Sequence, residues 1–192
     1  ATGASFKNKK LGSYGTLSCF SFFPTKNLSC FGDGGLICCN NKSLSTKIRM
    51  YREYGWDKNR NAKYIGINSR LDEIQAAVLN VKLKYLAKDN IERRKIATIY
   101  NKEIFNSKII KPKEVKNSYH VYHLYVVRIK KRNQFLNYLK KNNILAGIHY
   151  KLPVHKQKVY SKLSKSDLKI SDKISKEVVS LPIYPGLGIR NQ

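Results

Sequence analysis

The stretch SFFPTKNLSCFGDGG, residues 21–35, places a single lysine, Lys26, between an apolar run and a glycine-rich loop. The preceding residues 17–23 are short, apolar and β-favouring, and predict a buried strand. Pro24 has no N–H to donate and ends that strand, whereas the glycines that follow allow a turn into a second predicted strand at residues 36–39. A lysine at the end of an inner strand would be partly desolvated. Desolvation lowers the pKa of an amine and makes it a usable nucleophile.

The composition predicts a folded protein with a strongly basic surface. Hydrophobic residues make up 42% of the 192-residue chain, and 38 Lys and Arg against 12 Asp and Glu give a formal net charge of +26. A basic nucleic-acid-binding module is one interpretation of this charge. The lysines are scattered singly and in pairs, however, and neither zinc-finger spacing nor a basic region followed by heptads is present. We therefore expect weak, non-specific binding to polyanions and no specific nucleic-acid partner.

The cysteines and the hydropathy of the chain indicate where such a protein works. None of Cys19, Cys30, Cys38 and Cys39 forms a C-x-x-C pair, which predicts a reducing compartment and no structural zinc or other metal. No signal peptide is visible, and no apolar run approaches the roughly 20 residues that span a bilayer. We expect a cytoplasmic protein without a membrane partner.

Helical patterns follow the two predicted strands. Ser43 can cap a helix over residues 44–54, and the polar, irregular residues 55–67 predict an exposed loop. A stronger pattern covers residues 69–90 and continues as helix through residues 91–105, which predicts either one long bent helix or two helices joined near Asp89 and Asn90. The apolar positions that predict the core-facing side of the first of these helices are Leu71, Ile74, Val78, Val81 and Tyr85.

The character of the sequence then changes. Residues 118–130 are aromatic and β-branched and predict a strand, residues 132–143 predict a short helix, and residues 144–150 predict a second strand before a looser, proline-punctuated tail. This order indicates an α/β region followed by a smaller α+β region. We place the boundary in the helical connector, which gives domains at 1–88 and 89–192.

Six segments carry a resemblance to a known family. In order, they are GSYGTLSCFSFFPTKNLSCFGDGG, KIRMYREYG, GINSRLDEIQAA, YHLYVVRI, GIHYKLPVH and SLPIYPGL. The chain resembles, over nearly its whole length, the DegT/DnrJ/EryC1/StrS aminotransferases, which are pyridoxal 5'-phosphate (PLP) enzymes that transaminate nucleotide-linked keto-sugars. The resemblance implies an α/β protein of PLP-dependent transferase fold type I, like aspartate aminotransferase. Such a protein has a large domain around a mostly parallel sheet, here partial, and a small C-terminal α+β domain.

The resemblance also implies roles for four residues. Lys26 matches the lysine that forms a Schiff base with the cofactor and then moves a proton, and Ser21 matches a serine that binds the cofactor phosphate. Asn68 matches an asparagine that reaches the cofactor phosphate of the neighbouring subunit, so a homodimer with shared active sites is implied; from the residues alone Asn68 is a helix N-cap. His149 is a candidate substrate-binding residue, or a structural histidine at a strand end. The glycine loop matches no phosphate-binding motif and is interpreted as a tight connection that holds the lysine turn.

By the same resemblance, the chain looks like the C-terminal portion of an aminotransferase whose last helix is truncated. In relatives, the segment before ATGA supplies an aspartate that pairs with the cofactor ring nitrogen, and we expect this chain alone to be weak or inactive. The full reaction would move an amino group, usually from L-glutamate, to a nucleotide-linked keto-deoxysugar in surface-polysaccharide, lipopolysaccharide or other glycan biosynthesis. The alternative is a catalytically inactive remnant or partner subunit of such an enzyme.

Overall fold

The computed structural model describes residues 1–160 and 167–188. Seven strands and five α-helices are formed by these residues. The strands are β1 (Ser5–Phe6), β2 (Lys9–Lys10), β3 (Ser18–Ser21), β4 (Gly35–Cys38), β5 (Ser118–Tyr119), β6 (Tyr125–Arg128) and β7 (Val178–Leu181). The helices are α1 (Lys42–Tyr51), α2 (Glu73–Leu83), α3 (Leu86–Glu103), α4 (Arg132–Lys141) and α5 (Lys169–Glu177), with 3-10 turns at Val154–Lys156 and Lys158–Tyr160.

The first of two compact units comprises Ala1–Ile91 and Val115–Val121. It contains an antiparallel sheet in the order β2-β1-β5 and the antiparallel hairpin β3-β4, whose register runs from Ser18 opposite Cys38 to Ser21 opposite Gly35. The hairpin is followed by α1 and α2. The small core of this first unit is formed by five buried side chains: Phe22, Leu28, Cys30, Leu79 and Leu86.

The strands of the described residues differ in two ways from what was expected. Their pairs are all antiparallel, so these residues contribute no parallel pair to the mostly parallel sheet that the resemblance implies for the large domain. The strand before Lys26 is also less buried than predicted: Leu17 and Phe23 are 44% and 47% exposed, and only Phe22 is fully packed. The strand itself was predicted correctly. It forms by pairing with β4 and does not require full burial of its side chains.

The helices differ from prediction at their ends and on one face. Asn41 rather than Ser43 caps α1, because the Asn41 backbone is extended and its Oδ1 accepts from the N–H of Leu44 at 2.9 Å. The helical stretch breaks at 84–85, before the buried Leu86, and not near residue 89. The predicted core-facing side of α2 is largely exposed: Ile74 is 74%, Val81 57% and Tyr85 56% accessible.

The second unit comprises Glu92–Glu114 and the described residues from Tyr122 onward. Its centre is the antiparallel pair β6-β7, which runs from Tyr125 opposite Leu181 to Arg128 opposite Val178. The core of this unit contains side chains of this pair, of the second half of α3, of α4 and of residues that flank the strands. They are Ile96, Ala97, Tyr100, Tyr122, Tyr125, Val127, Leu139, Val179, Leu181 and Ile183.

Three predictions for this region were wrong in detail. The single strand expected at residues 118–130 is divided into β5 and β6, because Tyr122 between them has a φ of +42° in the left-handed region. The strand expected at residues 144–150 is reduced to one bridge, Gly147 opposite Ser180. The tail expected to be loose forms α5 and β7, and the expected truncated end at 189–192 lies outside the described residues.

Within residues 1–160 and 167–188, no helix combines the length and apolar character needed to cross a membrane.

Candidate active site

The loop that carries Lys26 is closed at its base by backbone hydrogen bonds. The N–H of Phe22 donates to the carbonyl of Gly34 at 2.8 Å, and the carbonyl of Phe22 accepts from the N–H of Cys30 at 2.8 Å. Inside the loop, the N–H of Lys26 donates to the carbonyl of Phe23 at 2.9 Å. The Lys26 residue is half-buried in this turn. The turn therefore shields the Lys26 residue from part of the solvent.

Ser21 lies at the entry to the same loop. It is the last residue of β3 and is paired with Gly35 across the hairpin. Its side chain is exposed, and its Oγ accepts from the N–H of Phe23 at 3.3 Å. The hydroxyl proton is not used in that bond, so Ser21 can donate to an anion. Ser21 and Lys26 therefore flank one turn, as the sequence predicts.

The glycine cluster makes the exit of the loop tight. A Cβ on Gly34 would lie 2.7 Å from Sγ of Cys30 and 3.0 Å from Cδ1 of Leu71. A Cβ on Gly35 would lie 3.1 Å from the carbonyl oxygen of Phe20. The predicted role of these glycines as a close connection is confirmed, because larger side chains would push the two arms of the loop apart.

Two side chains of α2 fasten the second half of the loop. The N–H of Phe31 donates to Oε1 of Gln75 at 2.9 Å, and Nζ of Lys82 donates to Oγ of Ser29 at 2.5 Å. Ser29 is only 2% exposed. α2 thus supports the loop that carries Lys26.

Sequence reasoning missed Asn27, which directly follows the lysine. The side chain is 8% exposed, and its Nδ2 donates to Oδ1 of Asn90 at 2.7 Å and to the carbonyl of Val121 at 3.0 Å. The sequence signal for a buried polar side chain was the position of Asn27 at the start of the largely apolar run NLSCF. Its partners lie 63 and 94 positions away, and a single sequence does not reveal such pairings.

Asn68 occupies a different loop and does not cap a helix. α2 begins at Glu73 with Asp72 before it, so the predicted N-cap role of Asn68 is wrong. Asn68 instead forms an isolated antiparallel bridge with Glu53, and its exposed side-chain Oδ1 accepts from Nε of Arg70 at 3.0 Å. Among the contacts of the described residues, none joins Asn68 to Lys26.

The loop at residues 55–67, which leads to Asn68, is held by a contact between two aromatic rings and by a lysine ammonium group near one of them. The rings of Tyr51 and Tyr64 lie 5.0 Å apart, and Nζ of Lys47 is 5.0 Å from the centre of the Tyr64 ring. At Gly66, a Cβ would come within 2.1 Å of the backbone nitrogen of Gly55. The loop is irregular, as predicted. It is also closely packed where Gly66 lies against the backbone of Gly55.

His149 belongs to the second unit and contacts β7. Its Nδ1 is 2.8 Å from Oγ of Ser180, next to the two backbone bonds that join Ser180 to Gly147 at 3.0 and 2.8 Å. The imidazole also covers Gly147, where a Cβ would meet its Cε1 at 2.9 Å. The hydroxyl of Ser180 therefore holds the ring, and the His149 residue is exposed.

The donor set of the site suits an organic anion rather than a metal ion. Within the described ranges 1–160 and 167–188, no group of three or more His, Cys, Asp and Glu side chains could hold a metal. An amine and a hydroxyl on one pinned turn, by contrast, fit an aldehyde and a phosphate. This chemistry fits PLP, whose ligands the sequence predicts here.

The fold is that of PLP-dependent transferases of fold type I, in part. DesV of S. venezuelae, in complex with a ketimine intermediate, superposes with a TM-score of 0.93 at 34% identity over 98% of this chain and 52% of DesV. A DegT DnrJ EryC1 StrS aminotransferase from Brucella abortus superposes with a TM-score of 0.94 at 30% identity over 100% of this chain and 52% of that one.

The sequence agrees with this fold. The profile of the DegT/DnrJ/EryC1/StrS aminotransferase family matches residues 1–192. A dTDP-3-amino-3,6-dideoxy-alpha-D-galactopyranose transaminase of Aneurinibacillus thermoaerophilus is 46% identical over 96% of this chain and 51% of the relative. A UDP-2-acetamido-2-deoxy-3-oxo-D-glucuronate aminotransferase of Pseudomonas aeruginosa is 37% identical over 96% of this chain and 51% of the relative. The chain belongs to this family, and it spans about half the length of these relatives.

Proposed function

We propose that this chain is part of a PLP-dependent aminotransferase that moves an amino group from L-glutamate to a nucleotide-linked keto-deoxysugar. The observation that carries the proposal is the half-buried Lys26 on a closed turn, flanked by the hydroxyl of Ser21. Two similar proteins are named as transaminases of nucleotide-linked sugars, which supports the substrate class. In this proposal residues 1–88 belong to the cofactor-binding domain and residues 89–192 to the small domain.

The residues of the turn would hold the cofactor at two points. PLP, when bound, supplies an aldehyde that reacts with amines and a ring that accepts electrons from the substrate carbon. The Nζ of Lys26 would bind at the aldehyde end and, once released, carry a proton to and from that carbon. The Oγ of Ser21 would donate to the phosphate. The backbone bonds of Phe22 close the loop that carries both side chains.

Asn68 would complete the site from a second copy of the chain. Its side chain is exposed and is oriented by Arg70, whose NH1 lies 3.7 Å from the carboxylate of Glu53. An exposed amide held in this way can donate to a phosphate on another subunit without first being ordered. His149 would contact the sugar nucleotide. The proposal thus includes a homodimer, working in the cytoplasm, where the four unpaired cysteines stay reduced.

Trapping of PLP tests the first part of the proposal. The full chain is incubated with PLP, reduced with borohydride, digested and analysed by mass spectrometry. We expect the cofactor mass on the peptide that contains Lys26, and an absorbance band that Lys26→Ala abolishes. Ser21→Ala should weaken PLP binding about tenfold, the effect of losing one hydrogen bond to a charged group. Labelling spread evenly over surface lysines would contradict the proposal, and tight DNA binding in moderate salt would favour the nucleic-acid module instead.

Mixed dimers test the role of Asn68. If Asn68 acts on the neighbouring subunit, a dimer of one Lys26→Ala subunit and one Asn68→Ala subunit keeps one intact site, and PLP binding returns to about half the wild-type level. If Asn68 acts within its own subunit, neither site is intact and binding stays low. The alternative of an inactive remnant predicts PLP binding without transamination, even when a polypeptide that corresponds to the other half of the relatives is added.

A further inference from the structure

A buried pair of amides joins the lysine turn to the rest of the first unit. Nδ2 of Asn27 donates to two acceptors at once, Oδ1 of Asn90 at 2.7 Å and the carbonyl of Val121 at 3.0 Å. Nδ2 of Asn90 in turn donates to the carbonyl of Thr2 at 3.1 Å. Both amides are therefore fixed in orientation, because a flip of either would bring oxygen against oxygen.

The two amides gather four separate pieces of chain. Thr2, the Lys26 turn, α3 and the end of the 115–121 segment all meet at Asn27 and Asn90, which are 8% and 3% exposed. Because Asn27 is the neighbour of Lys26 in the chain, its bonds fix the backbone from which the lysine side chain extends.

The approach of the N-terminal segment to this pair requires a glycine. Gly3 has a φ of +94°, and a Cβ there would lie 2.5 Å from Nδ2 of Asn90. Any larger residue would push Asn90 away from Thr2 and hence from Asn27. The glycine at position 3 thus lets the N-terminal backbone come close enough to Asn90 for the hydrogen bond to the carbonyl of Thr2.

The pair is more polar than packing alone needs. Oδ1 of Asn27 is buried, and no hydrogen-bond partner for it occurs among the described residues. A buried acceptor without a partner lowers stability. The two bonds that Nδ2 of Asn27 donates offset this cost and fix the direction of the side chain.

We propose that Asn27 and Asn90 are positioning residues that hold the turn so that Nζ of Lys26 meets the aldehyde of PLP in a reactive geometry. This inference rests on the proposed function of Lys26. Small displacements of a reacting group cost rate steeply, because the group must lie near its attack position. Loss of the pair leaves the lysine present but lets the turn move.

Site-selective trapping separates positioning from folding. The full chain and its variants are treated with PLP and borohydride, and the adduct on Lys26 is divided by the adduct on Lys102, whose side chain is 80% exposed in the second unit. We expect Asn27→Ala and Asn90→Leu to lower this ratio about tenfold. In Asn27→Ala and Asn90→Leu, the backbone N–H of Lys26, which donates to the carbonyl of Phe23, should exchange its hydrogen faster than in the wild type.

Leu79→Ala is the matched control. It removes a core side chain of the same unit without touching the amides, and should lower the melting temperature while the labelling ratio stays at the wild-type value. Should Leu79→Ala lower the ratio as much as Asn27→Ala, or should Asn27→Ala leave it unchanged, the positioning role is overturned and the role of Lys26 stands. Wild-type protein without preference for Lys26 overturns the proposed function, and the inference with it.

Discussion

Nζ of Lys82 lies 2.5 Å from Oγ of Ser29, and this hydrogen bond joins residues 53 positions apart in the chain. Ser29 is buried at 2% exposure, and Lys82 reaches it from α2. The bond connects the helix to the same loop that carries Lys26. This long-range hydrogen bond fixes the loop to α2.

The Lys82–Ser29 bond should be measurable as a coupling energy. Lys82→Met keeps the apolar stem but leaves the Ser29 hydroxyl without its donor, and we expect a loss of about 1–2 kcal/mol in the free energy of unfolding. Ser29→Ala should cost a similar amount, and the double variant little more than either alone. Urea unfolding followed by circular dichroism provides the energies. The exposed Lys84→Met serves as control, and additive losses would argue against the bond.

The glycine loop offers a pair of substitutions that differ only in available space. Gly34→Ala places its Cβ 2.7 Å from Sγ of the buried Cys30, and we expect a loss of about 1–3 kcal/mol. Gly32→Ala finds its nearest neighbour at 3.6 Å, the side-chain nitrogen of Gln75, and should be nearly neutral. Thermal melts of the two variants make the comparison. Equal losses would mean that the loop is not tight at Gly34.

The tyrosine core of the second unit should respond to high pH. Burial, and next the neighbouring Tyr122 and Tyr100, raises the pKa of Tyr125 from 10.0 to about 12. The neutral phenol donates to Oδ1 of Asn101 at 2.7 Å. Because the folded pKa lies above the unfolded one, the stabilisation is complete below pH 10 and is lost between pH 10 and about 12. The loss amounts to about 2–3 kcal/mol, at about 1.4 kcal/mol for each pKa unit.

Tyr125→Phe separates this effect from the titration of the many lysines. Its unfolding free energy should be lower than that of wild type at pH 8, since the bond to Asn101 is lost, by about 1 kcal/mol. The difference between the two proteins should shrink or reverse as the pH rises from 10 to 12. A difference that stays constant over this range would show that the Tyr125 phenol does not titrate as described.

A buried carboxylate makes the second unit sensitive to loss of one arginine. Nε and NH2 of Arg128 donate to Oε2 of Glu177 at 3.1 and 2.8 Å, and Glu177 is 8% exposed. Arg128→Met leaves this charge without its cation and should cost about 2–4 kcal/mol, less than a fully buried pair because Arg128 is one-third exposed. Arg128→Met combined with Glu177→Leu should recover much of the loss. Urea titrations at neutral pH measure both, and no recovery would contradict the account.

The local features around the lysine could be predicted because they depend on neighbours in the chain. The strand before Pro24, the turn at Lys26 and the glycine exit each follow from residue types within a few positions. Two details failed for different reasons. Asn41 rather than Ser43 caps α1 because the helix begins at Lys42, two residues earlier than predicted. The strand at residues 144–150 is lost because only Gly147 pairs with β7, which is a contact between distant parts of the chain.

By itself, the sequence determined the family and predicted the roles of Lys26 and Ser21, because a motif of contiguous residues specifies a local conformation and a local chemistry. The tertiary structure alone decided what holds that lysine in place. Asn27 finds Asn90 and Val121, and Ser29 finds Lys82, only after the chain has folded. A hydrogen bond depends on distance and direction in space, and no periodicity in one sequence encodes which two buried polar groups will meet.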